Sequence, residues 1–162
     1  HPLVPLVGGS SGQSPSRDLG RVGEIVGVDT ARLQAIVAEG KIPVISPTAT
    51  EEGNMDVLNC NADVAAAAVA RALGANRLAF MSDVPGLLRV MDDPTSLLRV
   101  LSIRDIHALK DGGVIAGGMI PKIDSAVAAL SAGVGAVHLL DGREPHMLLR
   151  ILQEEVGTTI TR

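Results

Sequence analysis

The chain has 162 residues, enough for one domain with a core of ordinary size. It is 46% apolar but only 1% aromatic, so alanine and aliphatic side chains must fill the interior. A net charge of −4 leaves no basic footprint for nucleic acid, and the apolar runs fall short of the roughly 20 residues that cross a bilayer. A single cysteine, Cys60, excludes an internal disulfide framework and fits a reducing compartment. No secretory signal precedes the first strand, although the opening HPLVPLVGG lacks an initiator Met, as a processed or partial chain would. The expectation is a soluble, cytoplasmic protein.

In chain order, Leu3–Gly9 reads as a buried strand closed by a glycine turn, and Ser10–Gly20 as a Ser/Gly/Pro loop. Arg21–Asp29 alternates as an antiparallel ribbon strand does. TARLQAIVAEG predicts a helix capped by Thr30 and stopped at Gly40. Ile42–Ser46 has the composition of a short buried strand, and Thr48–Asn59 that of a turn with a short ribbon. NADVAAAAVARALGA is the strongest helix, with Asn61 or Asp63 at its start and Gly74 at its end.

Arg77–Met81 is the next strand, followed by the loop SDVPGLL and an excursion holding a short strand. Ser102 and Asp105 form a capping-box pattern for another helix. GGVIAGG then leads into a helix around Pro121 that stops near Gly133. Ala136–Leu140 is a strand, DGR a turn, EPHMLLRILQEE a helix and TTIT a last strand. Strands alternating with helices predict an α/β fold: a three-layer αβα sandwich around a mainly parallel open sheet. There is no internal repeat.

In such sheets ligands bind outside the carboxyl ends of the strands. Three segments fall there. Asn59, Asn61 and Asp63 open the alanine-rich helix. One cap is all that helix needs, so these residues either serve as caps and turns or leave polar groups over for a substrate or a lysine. Ser82–Gly86 is either a plain turn or a loop around a nucleotide's ribose and base. Gly117 and Gly118 are either a hinge or a stretch without Cβ atoms that lets a phosphate approach a helix N-terminus.

Lys122 sits in that helix's first turn, where the macrodipole disfavours a cation. It is either a surface lysine lying along the protein or a charge meant for a polyphosphate and a transferring phosphoryl group. His107, His138 and His146 lack metal-ligand spacing, and His138 reads as a core or sheet-face residue. Cys60 reads as a small buried side chain. Neither the Walker pattern nor G-x-G-x-x-G occurs.

The segments DLGRVGEIVGVD, GKIPVISP, NCNADVAAAAVARALGA, MSDVPGLL, GGVIAGGMIPKIDSAVAAL and AVHLLDGREPH occur in this order. Together they resemble the carboxyl-terminal part of the N-acetylglutamate kinases, of the amino-acid kinase superfamily, from Leu3 to Ile160. The resemblance implies transfer of the ATP γ-phosphoryl, with Mg2+ bridging the phosphates, to the side-chain carboxylate of N-acetyl-L-glutamate, in arginine biosynthesis. Related kinases act on substrates such as acetylaminoadipate, and a non-catalytic nucleotide-binding fragment is the alternative from another class.

By the same resemblance Lys122 and Asp63 are catalytic, the lysine stabilising the transition state and the aspartate orienting lysines. Asn59 binds the acyl amino acid with Asn61 beside it. Ser82, Asp83, Val84, Pro85, Gly86, Leu87 and Leu88, with Val114, Ile115, Ala116, Gly117 and Gly118, surround ATP. Residues 1–162 would be the ATP-binding portion, with 10–30 and 48–60 as ribbon or lid segments near the substrate and the amino-terminal domain missing. The family's K-x-G-G lysine, H-G-G-G loop and substrate-binding arginine are not among these residues. The 162 residues alone are therefore expected to have little or no kinase activity, and the full-length protein to be a homo-oligomer.

Overall fold

The computed structural model describes residues 6–10, 21–51, 53, 56–153 and 156–162. The expected strand residues Leu3 to Pro5 and nearly all of the Ser10–Gly20 loop lie outside them. The chain divides into two compact units, His1–Leu73 and Gly74–Arg162.

The first unit holds β1 (Leu6–Ser10), β2 (Gly23–Val28), α1 (Thr30–Ala38), β3 (Thr48–Glu51), β4 (Val57–Asn59) and α2 (Ala62–Ala72). Its sheet runs β2-β1-β3-β4. β1 pairs antiparallel with β2 and parallel with β3, and β3 returns antiparallel as β4. The short connection 52–56 permits no other direction, since a parallel return needs a long crossover. Leu6, Ala49, Cys60 and Ala65 form the core, with Ile25, Val28, Ile45 and Val69 packed against them. α2 packs on β2 and buries Ala65, Ala67, Ala68 and Ala70. Small side chains let that helix lie close, as the near-absence of aromatics required.

The second unit holds β5 (Arg77–Ser82), a 3-10 turn at Pro94–Ser96, β6 (Val100–Ser102), α3 (Ile103–Asp111), α4 (Met119–Ser131), β7 (Ala136–Asp141), α5 (Met147–Arg150) and β8 (Thr158–Thr161). Its sheet runs β5-β7-β8-β6, with β5/β7 and β6/β8 parallel and β7/β8 antiparallel. α3 packs on β6 and α4 on β7. The α/β class holds, with the described strands in two four-stranded sheets and half of their ladders parallel.

Three local expectations are corrected. α1 is capped by Asp29, whose carboxylate accepts from Arg32 N–H at 3.0 Å, and Thr30 is its first helical residue. Ile42–Ser46 forms no strand: Ile42 and Val44 are 88% and 95% exposed. Pro43 has no N–H to give a ladder, and none of the described strands pairs with the segment. The helix expected over EPHMLLRILQEE shrinks to Met147–Arg150. Pro145 disfavours helical geometry at Glu144, and His146 takes a left-handed φ of 59° at the helix entry.

The other caps fall where the sequence placed them. Asn61 caps α2, and Ser102 with Asp105 closes a full capping box on α3. Among the described residues no helix is long and apolar enough to cross a membrane.

Candidate nucleotide and substrate site

The sequence-derived residues fall in both units. Asn59, Asn61 and Asp63 belong to the first, where β4 runs into α2. Asn59 is exposed, and its N–H donates to Arg21 C=O at 2.8 Å. Asn61 Oδ1 accepts from the N–H groups of Asp63 and Val64, at 2.9 and 3.1 Å. Its carbonyl oxygen is thus committed to the cap, which is the plainer of its two readings. Asp63 is half-buried in the helix's first turn, where the macrodipole favours its charge.

The second unit carries the remaining residues. Ser82 ends β5 opposite Asp141 of β7, and its carbonyl accepts from Gly142 N–H at 2.7 Å. Beyond it Asp83 is exposed, Val84 and Pro85 are half-buried, and Gly86 and Leu87 are buried. Leu87 N–H donates to Thr158 Oγ1 at 2.8 Å, and Leu98 N–H to Leu87 C=O at 2.9 Å. Leu88 bridges Leu97 antiparallel. Gly86 has φ +143°, and a Cβ there would meet Thr158 Oγ1 at 2.6 Å. The loop is therefore held by Thr158 of β8, by Gly142 just past β7 and by the Leu97–Leu98 segment.

Val114–Gly118 differs. Ile115 is buried, while Ala116, Gly117 and Gly118 are exposed. Gly117 has φ +56°, which suits glycine, and a Cβ on either glycine would meet nothing within 4 Å. Gly118 begins α4 without a side-chain cap, and Pro121 removes one N–H from the first turn. Space and the positive end of a helix dipole coincide here, an arrangement suited to an anion.

Lys122 is the fourth residue of α4 and half-buried, with its Nζ 5.0 Å from the centroid of the Phe80 ring. Phe80, the chain's single aromatic, is two residues before the Ser82 loop. The contact brings α4 to β5 and keeps the ammonium against a ring face, an attraction of about 0.5–2 kcal/mol. Residue patterns gave no sign of this ring contact beyond the ring's being the only one. Lys110 pairs with Asp124 at 2.6 Å across α3 and α4.

The Asp141–Arg143 pair escaped the sequence reading. Asp141 accepts from Arg143 Nε at 2.9 Å, from its Nη2 at 2.7 Å and from its N–H at 3.0 Å. Arg143's side chain, then its backbone N–H, hold the Asp141 carboxyl down to about 2. The signal was present in DGR, a carboxylate two residues before a guanidinium, but it read as a turn. His138 lies in the sheet as expected, with Nδ1 3.0 Å from Thr159 Oγ1. Burial, then the Arg77 charge, push its imidazole below the ordinary range. Burial likewise raises the Cys60 thiol, which behaves as a core side chain. Among the described residues no group of three or more His, Cys, Asp or Glu is arranged to hold a metal.

The alternating α/β architecture, the loop at the end of β5 and the glycine-headed helix define the class. The model of the amino acid kinase family matches residues 3–141, and the chain belongs to that family. Within it, the acetylglutamate kinase of Desulfitobacterium hafniense is 49% identical over 148 residues, 91% of this chain and 49% of that protein. That of Methanococcus vannielii is 45% identical over 147 residues, 90% of this chain and 50% of that protein. The chain spans about half the length of the curated relatives it matches. Among solved structures, N-acetylglutamate synthase from Neisseria gonorrhoeae, complexed with coenzyme A and N-acetyl-glutamate, overlays with a TM-score of 0.87 at 31% identity. That likeness covers 99% of this chain and 38% of the synthase.

Proposed function

We propose that residues 1–162 are the ATP-binding portion of a cytoplasmic, homo-oligomeric acetylglutamate kinase. The reaction would transfer the γ-phosphoryl of ATP to the side-chain carboxylate of N-acetyl-L-glutamate in arginine biosynthesis. The observation that carries this reading is the start of α4: two glycines under open space, no side-chain cap, and Lys122 four residues into the helix beside Phe80. The likeness to named acetylglutamate kinases supports the choice of acceptor.

In this reading Gly117 and Gly118 let the phosphates close on the helix terminus, with Val114, Ile115 and Ala116 beside them. Ser82, Asp83, Val84, Pro85, Gly86, Leu87 and Leu88 take the ribose and base, and the Asp83 carboxylate accepts from ribose hydroxyls. Lys122 leaves the Phe80 ring for the phosphoryl oxygens and offsets charge that gathers there in the transition state. Asn59 and Asn61 hold the acyl amino acid, and Asp63 orients lysine side chains. Of the two ribbon segments, the described residues 21–30 and 56–60 stand near the acceptor in this reading. Mg2+ arrives as part of the nucleotide substrate. Catalysis then rests on in-line positioning and charge neutralisation, without a covalent intermediate.

The test is titration of the chain with MgATP by calorimetry, alongside Lys122→Met. Binding should be measurable and at least tenfold weaker in the variant, with unchanged melting. No binding by the parent chain would remove the nucleotide reading. Hydroxylamine trapping of the acyl phosphate, with N-acetylglutamate and acetylaminoadipate compared, then reads the acceptor. The 162 residues alone should show little turnover.

A second reading, a non-catalytic nucleotide-binding module, is favoured by one finding: a synthase overlays on this chain under a different named activity. Turnover by a longer chain, lost with Lys122, would end it.

A further inference from the structure

Among the described residues, Thr158 is a buried polar group to which the nucleotide reading gives no task. Thr158, on β8, is fully buried. Its hydroxyl accepts from Leu87 N–H at 2.8 Å and donates to Leu98 C=O at 2.7 Å. One hydroxyl can do both at once, because it carries a single hydrogen and two lone pairs. Leu98 N–H returns to Leu87 C=O at 2.9 Å and closes the ring of contacts.

The sheet order β5-β7-β8-β6 sets the reach of this contact. The loop leaves β5, passes the end of β7 and is caught by β8, two strands away. Gly86 makes the approach possible, since a Cβ at that residue would lie 2.6 Å from the Thr158 hydroxyl and 3.0 Å from Thr158 N. Valine would fill the same volume and suits a strand equally well. The buried hydroxyl is favourable only because the loop and the Leu98 carbonyl satisfy it.

We propose that Thr158 is a positioning residue for nucleotide binding: acting through Leu87, it fixes the Asp83–Gly86 segment against the sheet before the nucleotide arrives. The proposal rests on the nucleotide reading of that loop. Thr158 touches no ligand in it. A loop already shaped loses less conformational freedom on binding, so its anchor appears in affinity.

The experiment compares the parent chain with Thr158→Val and Thr158→Ser in two measurements. One is the affinity for a fluorescent ATP analogue with Mg2+, and the other is hydrogen exchange at the Leu87 amide. Valine should speed exchange of that amide at least tenfold and weaken binding at least tenfold. Serine, which keeps the hydroxyl, should restore both to within about threefold of the parent. Faster exchange with affinity unchanged would overturn the proposal while leaving the nucleotide site intact. Serine as weak as valine would overturn it too, because the methyl group's packing would then be responsible. A parent chain that binds no nucleotide would overturn both the site and its anchor. Should the valine variant not fold, Thr158→Ala carries the same comparison, with serine again the control.

Discussion

The Ser82–Leu88 loop and the Val114–Gly118 stretch lie in the same unit and are assigned to the same ligand, yet they are built in opposite ways. The first is tied to β8 through Thr158 Oγ1 and to neighbouring segments through Gly142 N–H and Leu98 N–H, and its glycine is closely surrounded. The second has glycines under open space and leads into a helix without a side-chain cap. A loop that reads a base and ribose gains from a fixed shape. A stretch that receives phosphates gains from room and unshielded dipoles. In one, glycine is required by the protein's own packing; in the other, nothing among the described residues crowds it.

Substitutions in the two regions should therefore separate. Gly86→Ala is expected to do most damage, since the Cβ meets Thr158 Oγ1 at 2.6 Å and Leu97 Cδ1 at 2.9 Å at a positive φ. A loss of about 2–4 kcal/mol should appear in urea unfolding. An unchanged midpoint would mean that the loop is not held as described. Thr158→Val should follow, at about 2–3 kcal/mol, because it leaves a buried N–H and a part-buried carbonyl unsatisfied.

Asp141→Asn should be milder, about 1 kcal/mol, because its partner Arg143 is 66% exposed and screened by water. Its pH dependence has a definite sign. The folded carboxyl is held at about 2 against an ordinary 3.8, so its contribution is complete above about pH 4 and fades as pH falls toward 2. Acid titration of stability should show that loss in the parent chain and not in the variant.

Gly118→Ala should be smallest in stability, within about 0.5 kcal/mol, since its φ of −65° suits alanine and the space is open. It should nonetheless weaken MgATP binding at least tenfold. Equal affinity in the two chains would mean that no phosphate approaches this glycine.

Much of both regions was legible in the residues. SDVPG after an apolar run announced a loop at a strand's carboxyl end, and GGMIP announced a helix start. Neither text revealed which loop would be tied down. The ties come from Thr158 and Gly142, and Thr158 stands 71 positions from the Leu87 amide it receives. The Phe80–Lys122 contact escaped for the same reason.

By itself the sequence determined what acts over three or four residues. Asn61 and the Ser102–Asp105 pair set helix starts, and Gly74 and Gly133, both at positive φ, set helix ends. These signals hold because a cap and the N–H it serves are neighbours along the chain. Tertiary structure decided the exposure of Ile42 and Val44, the shortening of α5 and the division of the described strands into two sheets. A strand has no ladder of its own, and four helical residues have too few internal hydrogen bonds to persist unaided. Whether such segments become regular structure depends on partners that local sequence does not specify.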